Sequence, residues 1–242
     1  MEAALLARGY LRQESRKADA IITAAKLERS FHAIALSREY GGQSPLMRWE
    51  KPVSLKMTFG PSIPKAQRES DSRTVKRYVS RLASVTGHPI RMSQRSSTFE
   101  VLVATSTELR GLGSYLQRSY PGLDQRMLRK ITRMPKSYLC MVVAFPNSDK
   151  SKGYTRALAI VRAEHSQRMR TACFHEEIAQ GLGLPNDSDA RPSIFNDDEE
   201  FAVLTRHDEL LLRMLYDDRL RSGMTARQAA PQVSAIAQAL AR

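Results

Sequence analysis

Residues 138 to 145 read Tyr-Leu-Cys-Met-Val-Val-Ala-Phe, an unbroken apolar run. A strand without a polar face needs cover on both sides, so it belongs in a sheet with other elements packed against both faces. The run predicts a central strand. Thr155 to Ala163, alternating around Ala157, Ala159 and Val161, predicts a second. Pro52 to Phe59 places Val53, Leu55, Met57 and Phe59 on one face of a third. Ile90 to Met92 and Thr98 to Ala104 complete the set.

Helical periods fall between and after these runs. Met1 to Lys17 reads as a short amphipathic helix rather than an export signal. Ala20 to Tyr40 carries Ile21, Ala25, Leu27, Phe31, Ile34 and Ala35 at helical spacing, and Gly41-Gly42 ends it. Ser62-Ile63-Pro64 opens a long helix to about Val85, stopped by Gly87 and Pro89, with an inner stripe of Val75, Tyr78, Val79 and Leu82. Leu109 to Tyr120 and Asp124 to Arg133 predict short helices. Ser166 caps a helix to Leu182, with Phe174, Ile178 and Leu182 as its core stripe. Asp187 to Glu200 is irregular and acidic. Leu204 to Tyr216 and Thr225 to Leu240 are the last helices. The alternation predicts an α/β (α+β) fold. No Pro/Gly/Ser-rich linker divides the chain, which predicts one domain over 41–242 behind a helical flank, residues 1–40.

Composition removes several function classes. No run approaches a membrane span, so no transmembrane segment is expected. The two cysteines, Cys140 and Cys173, have no C-x-x-C spacing, so a cysteine-based zinc site is out. Two free buried thiols suit a reducing compartment. A single disulfide is the alternative in an exported protein, where a strand cysteine would meet one at the start of a helix packed on the sheet. Net charge is +13, and residues 1–160 hold 28 Lys+Arg against 12 Asp+Glu. The excess favours an anionic partner such as nucleic acid, lipid headgroups or an anionic envelope polymer. The bland reading is a solvated surface, because the bases are scattered singly and in pairs. No specific nucleic-acid motif accompanies them.

The informative stretch is Cys173 to Asp187. His175-Glu176 suggests H-E-x-x-H, but that register puts Ala179 in the second ligand place. One residue later, Glu176, Glu177, Gln180, Gly183 and Asn186 give E-E-x-x-Q-x-x-G-x-x-N. Residues i and i+4 share a helix face, so Glu176 and Gln180 can reach one centre. Gly183 ends the helix in a turn that returns Asn186 or Asp187 towards them. Glu177 is the candidate general base.

This spacing resembles the metzincin zinc-peptidase pattern H-E-x-x-H-x-x-G-x-x-H/D. Metzincins follow it with a methionine turn, then a helix bearing an Asp and ending in Leu-Tyr or Ile-Tyr. Here Pro192 to Phe195 occupies the turn, with Ile194 or Phe195 in place of methionine, and the next helix holds Asp208 and Leu215-Tyr216. The resemblance implies a zincin-like fold: a twisted mixed sheet, a long backing helix, a motif helix and C-terminal helices. It divides the domain into an upper part, 41–184, and a lower part, 185–242.

The chain from about Arg29 also resembles an uncharacterised bacterial family, domain of unknown function 2927. The carrying strings are His175-Glu-Glu-Ile-Ala-Gln-Gly-Leu-Gly-Leu-Pro-Asn-Asp187, then Arg191 to Phe201, Leu204 to Glu209 and Leu215-Tyr216-Asp217. That resemblance implies an exported, periplasmic or lipid-anchored protein.

Three function classes follow. The first is an inactive or weakly active peptidase-like binding module in the envelope. The second is a hydrolase of peptides or an envelope polymer with an unusual metal. The third is an anion-binding protein using its basic front half. Glu, Gln and Asn offer hard oxygens, which suit Ca²⁺, Mg²⁺ or Mn²⁺ rather than zinc, or no ion at all. In the last case Glu176, Gln180 and Asn186 form a hydrogen-bonded polar network. His175 is either an extra ligand or a structural histidine. Asp208 is expected to brace the motif segment. The acidic run Asp197 to Glu200 reads as a solvated loop, with a cation site as the alternative.

Overall fold

The computed structural model describes residues 2–12, 21–37, 42–135, 138–189, 192–196 and 201–241. Its elements alternate as the apolar periods require. They run α1 (Glu2–Ala7), α2 (Ala24–Ala35), β1 (Val53–Phe59), α3 (Lys65–Thr86), β2 (Ile90–Met92), β3 (Phe99–Ala104), α4 (Ser106–Gly111), α5 (Gly113–Ser119) and α6 (Gln125–Thr132). Then follow β4 (Cys140–Pro146), β5 (Tyr154–Arg162), α7 (Gln167–Gly183), α8 (Arg206–Leu215) and α9 (Ala226–Leu240). The acidic run Asp197 to Glu200 lies outside the described residues.

The strands form one mixed sheet, ordered β2-β1-β3-β5-β4. Neighbouring strands are parallel except β4, which runs antiparallel to β5 from Cys140 opposite Val161. The apolar run 138–145 is therefore an edge strand and not the central one. Its period reported cover on two faces. The open edge of a strand is backbone, which side-chain pattern does not encode.

Alternation along β3 and β5 divides two cores. Phe99, Val101, Val103, Ala157, Ala159 and Val161 face α3, α7 and the C-terminal helices. Leu102, Ala104, Leu158 and Ile160 face α4 to α6. The expected stripe of α3 is buried in the first core. So are Leu27, Phe31 and Ile34 of α2, which lies inside the segment expected to flank the domain. In the second core, buried Glu100 of β3 accepts hydroxyl bonds from Tyr115 (2.7 Å), Tyr120 and Thr58 (both 2.5 Å). Burial, and the Glu100 contact after it, push the Tyr115 hydroxyl up to about 12. These bonds fix α5 to the sheet. Among the described residues no helix is long and apolar enough to cross a membrane.

Candidate functional site

The site is assembled on α7. Ser166 Oγ accepts from Met169 N at 3.2 Å and starts the helix. Phe174, Ile178 and Leu182 are buried in the first core. Cys173, in the second turn of α7, forms a disulfide with Cys140, with Cα atoms 5.8 Å apart, which ties α7 to β4.

The far end of α7 is fixed by two long-range bonds. The last carbonyls of a helix have no partner within it. Here Trp49 Nε1 donates to Gly181 O at 2.9 Å, and the Tyr216 hydroxyl donates to Leu182 O at 2.9 Å. Two glycines permit the close packing. A Cβ on Gly181 would lie 2.5 Å from the Phe99 ring. A Cβ on Gly183, whose φ is +129°, would lie 2.2 Å from Met47 O.

Past Gly183 the chain reverses, and Asn186 and Asp187 take different directions. Asn186 Nδ2 donates to Ile34 O (2.9 Å) and Ser37 O (2.8 Å), so its side chain satisfies carbonyls at the end of α2. It does not join Glu176 and Gln180, and the reading of Asn186 as a site residue is corrected. Asp187 does return. Gln180 Nε2 lies 3.3 Å from Asp187 Oδ1 and 3.5 Å from Glu176 Oε1. Glu176, Gln180 and Asp187 thus form one corner bridged by an amide. An amide placed between two carboxylates presents its NH₂ to both.

Glu177 is buried, only 4% exposed, so it is not an open base facing solvent. Its carboxyl lies beside the Glu176 carboxyl and the Cys140 sulfur, with the three groups' nearest ligand atoms within 4.8 Å of one another. That sulfur is in the disulfide, so it offers no thiolate to a metal.

His175 is structural. Its Nδ1 accepts from Leu204 N at 3.1 Å, and its ring stacks on Tyr78 with centroids 3.8 Å apart. The Tyr78 hydroxyl donates to the His175 carbonyl at 2.7 Å. Burial, with the Arg81 guanidinium adding to it, lowers the imidazole pKa to about 3, so the ring is neutral. With one nitrogen bonded to backbone and the ring held on Tyr78, His175 is no ligand in this arrangement.

Asp208 holds the segment beneath. Its Oδ1 accepts from Ser193 Oγ (2.5 Å), and its Oδ2 from Ile194 N (3.1 Å), Thr205 N (2.8 Å) and Thr205 Oγ1 (2.8 Å). One carboxylate therefore caps α8 and fixes the Pro192–Phe195 turn. Ile194 and Phe195 are buried, and Phe195 O accepts from Ser188 N at 2.9 Å, which joins the turn to the returning strand of chain.

Sequence reading missed Tyr78 and Trp49 as partners of the motif helix. Tyr78 reads there as part of the α3 stripe and Trp49 as a large aromatic, and both signals report burial and not a partner. A cleft of about 1070 Å³ lies between α3 and α8; Trp49 and Tyr216, which hold the end of α7, line it, whereas Glu176, Glu177, Gln180 and Asp187 do not. Several of its charges are paired with one another: Arg48 with Glu50 at 3.0 Å and, near its rim, Arg219 with Asp217 at 2.8 Å.

The span from α2 to α9 that builds this corner is also the span matched by a family model described as protein of unknown function, DUF2927, over residues 24–235. The chain belongs to this family. The Asn186–α2 contact and the Tyr216–Leu182 contact both fall within the residues that the DUF2927 model matches. A comparison with curated proteins finds no match.

Proposed function

We propose that this DUF2927 protein is a zincin-like scaffold whose former metal corner has become a hydrogen-bonded binding site, acting in the bacterial envelope without zinc chemistry. The observation that carries the reading is the amide of Gln180 between Glu176 and Asp187. An N–H donor stands where an ion would need an electron pair. Zinc prefers imidazole and thiolate, and neither is offered here: the three positions are Glu, Gln and Asp, and the nearby sulfur is oxidised. The residues present do not fit zinc, and no catalytic step is drawn through one.

Further support comes from the mixed sheet with its antiparallel edge strand, the long helix α3 and the turn braced by Asp208, all in the order that the metzincin resemblance implies. The open edge of β4, next to the corner, gives an extended peptide or a hydrogen-bonding polymer a backbone to line up on. The Cys140–Cys173 bond favours an oxidising compartment, in keeping with export.

The test is hydrolysis of fluorescein-labelled casein by the purified protein. The reading expects no turnover above that of Glu177→Gln. Chelator-sensitive turnover that Glu177→Gln abolishes would overturn it in favour of a hydrolase.

A further inference from the structure

The layer of α4 to α6 covers the sheet face opposite α7, and its outer surface has no role in the corner just described. Within it α6 is amphipathic in a specific way. Leu128 and Ile131 are buried against the sheet. Arg126, Arg129 and Arg133, spaced three and four residues apart, are exposed on the opposite side. Arg110 of α4, which shares a depression with Arg133, and Arg118 of α5 are exposed in the same layer. Among the described residues none of these five arginines has a carboxylate within ion-pair distance, whereas arginines elsewhere do: Arg170 with Asp71 and Arg81 with Glu209.

The acids of the same layer serve as caps. Asp124 Oδ1 accepts from Met127 N at the start of α6, and Glu108 accepts from Thr105 and Ser62. Residues 105 to 135 hold six Lys+Arg against these two acids. Two further features point to a lipid surface. Tyr138 is 42% exposed at the edge of the patch, with the Lys130 ammonium 4.4 Å from its ring centre. An aromatic ring beside a basic stripe is the composition of an element that lies in a headgroup layer. Between α4 and α6, Arg110 and Arg133 flank a depression of about 190 Å³, which Ser106 and Thr132 also line. A water takes about 30 Å³ in the liquid, so the depression has room for one phosphate headgroup.

We infer that the α4–α6 layer docks on an anionic phospholipid surface, with a lipid phosphate seated between Arg110 and Arg133. The proposal is independent of the reading of the α7 corner. A nucleic acid would also answer to the charge. Tyr138 could also stack a base, but the depression between Arg110 and Arg133 has room for one phosphate and not for a backbone track, and no groove-reading element accompanies the arginines.

The test is co-sedimentation with phosphatidylglycerol vesicles and with phosphatidylcholine vesicles, at about 0.1 M and about 1 M salt, where the screening length falls from about 10 Å to about 3 Å. Binding to phosphatidylglycerol only, lost at high salt, is expected. Each arginine near an anionic leaflet contributes about fivefold to partitioning. The triple variant Arg126→Glu, Arg129→Glu, Arg133→Glu therefore loses on the order of a hundredfold or more. Arg110→Ala alone loses about fivefold. A control triple on exposed positions of α3, Arg73→Glu, Lys76→Glu, Arg77→Glu, makes the same change in net charge and keeps binding. All variants are checked for unchanged melting temperature, which exposed positions should allow. Equal binding to both lipids overturns the inference, as does equal loss in both triples. So does tighter, salt-sensitive binding to a DNA duplex that the α6 triple abolishes, which would assign the patch to nucleic acid.

Discussion

Gln180 donates its side-chain amide to Asp187 across the reversal at Gly183, a contact of 3.3 Å between residues seven apart in sequence. It closes the corner at the C-terminal end of α7, and it depends on everything that fixes that end: the Tyr216 and Trp49 bonds, the two glycines, and the turn that Asp208 holds.

Removing the Asp208 carboxylate should loosen the turn and the start of α8 together. Asp208→Ala leaves Ser193 Oγ, Ile194 N and Thr205 N without their acceptor in a buried place. A loss of about 3 kcal/mol or more is expected from denaturant unfolding, since bonds to a charged group count about 1.5–3 kcal/mol each. Hydrogen exchange at the Ile194 amide should rise in the same variant. Unchanged exchange there would show that the turn holds itself.

The two glycines of α7 should not tolerate a methyl group. Gly183→Ala meets Met47 O and keeps an unfavourable positive φ, and a loss of about 2 kcal/mol or more is expected. Gly181→Ala meets the Phe99 ring and should cost about 1–3 kcal/mol. Melting curves of the two variants check both figures.

The disulfide should contribute about 2–4 kcal/mol. Unfolding with and without a reductant, compared with the Cys140→Ser, Cys173→Ser double variant, measures it. Equal stability of all three would mean that packing alone holds α7 to β4.

His175 gives stability a pH dependence of known sign. The folded ring titrates near 3 and the unfolded ring near its ordinary 6.5. Between these values the unfolded chain binds the extra proton. Stability from this group is complete above about pH 6.5 and falls as pH drops towards 3, by about 1.4 kcal/mol per unit. His175→Asn keeps an acceptor near Leu204 N and removes that slope. Unfolding midpoints of both proteins between about pH 4 and pH 7 provide the comparison, and parallel curves would contradict the assignment.

Local signals are legible in the sequence, because their cause is local. The stripe Val75 to Leu82 of α3 and the caps Ser166 and Thr225 follow from helix period and side-chain hydrogen bonding within three residues. The placement of β4 was not legible, since cover on its two faces and exposure of its edge leave the same apolar run. The choice between Asn186 and Asp187 was not legible either. A spacing rule fixes the turn to within a residue, and the side chain taken by α2 was decided by carbonyls some 150 positions earlier in the chain. Tyr216 and Trp49 lie 34 and 132 positions from the carbonyls they satisfy, beyond the reach of any periodicity.

In the proposed function an amide, and not a zinc ion, holds the two carboxylates of the α7 corner. Elemental analysis of the purified protein, followed by zinc titration in a calorimeter, tests it most directly. No stoichiometric zinc is expected, and no heat of binding that Glu176→Ala removes. One tightly held zinc per chain, lost in Glu176→Ala or Asp187→Ala, would contradict it.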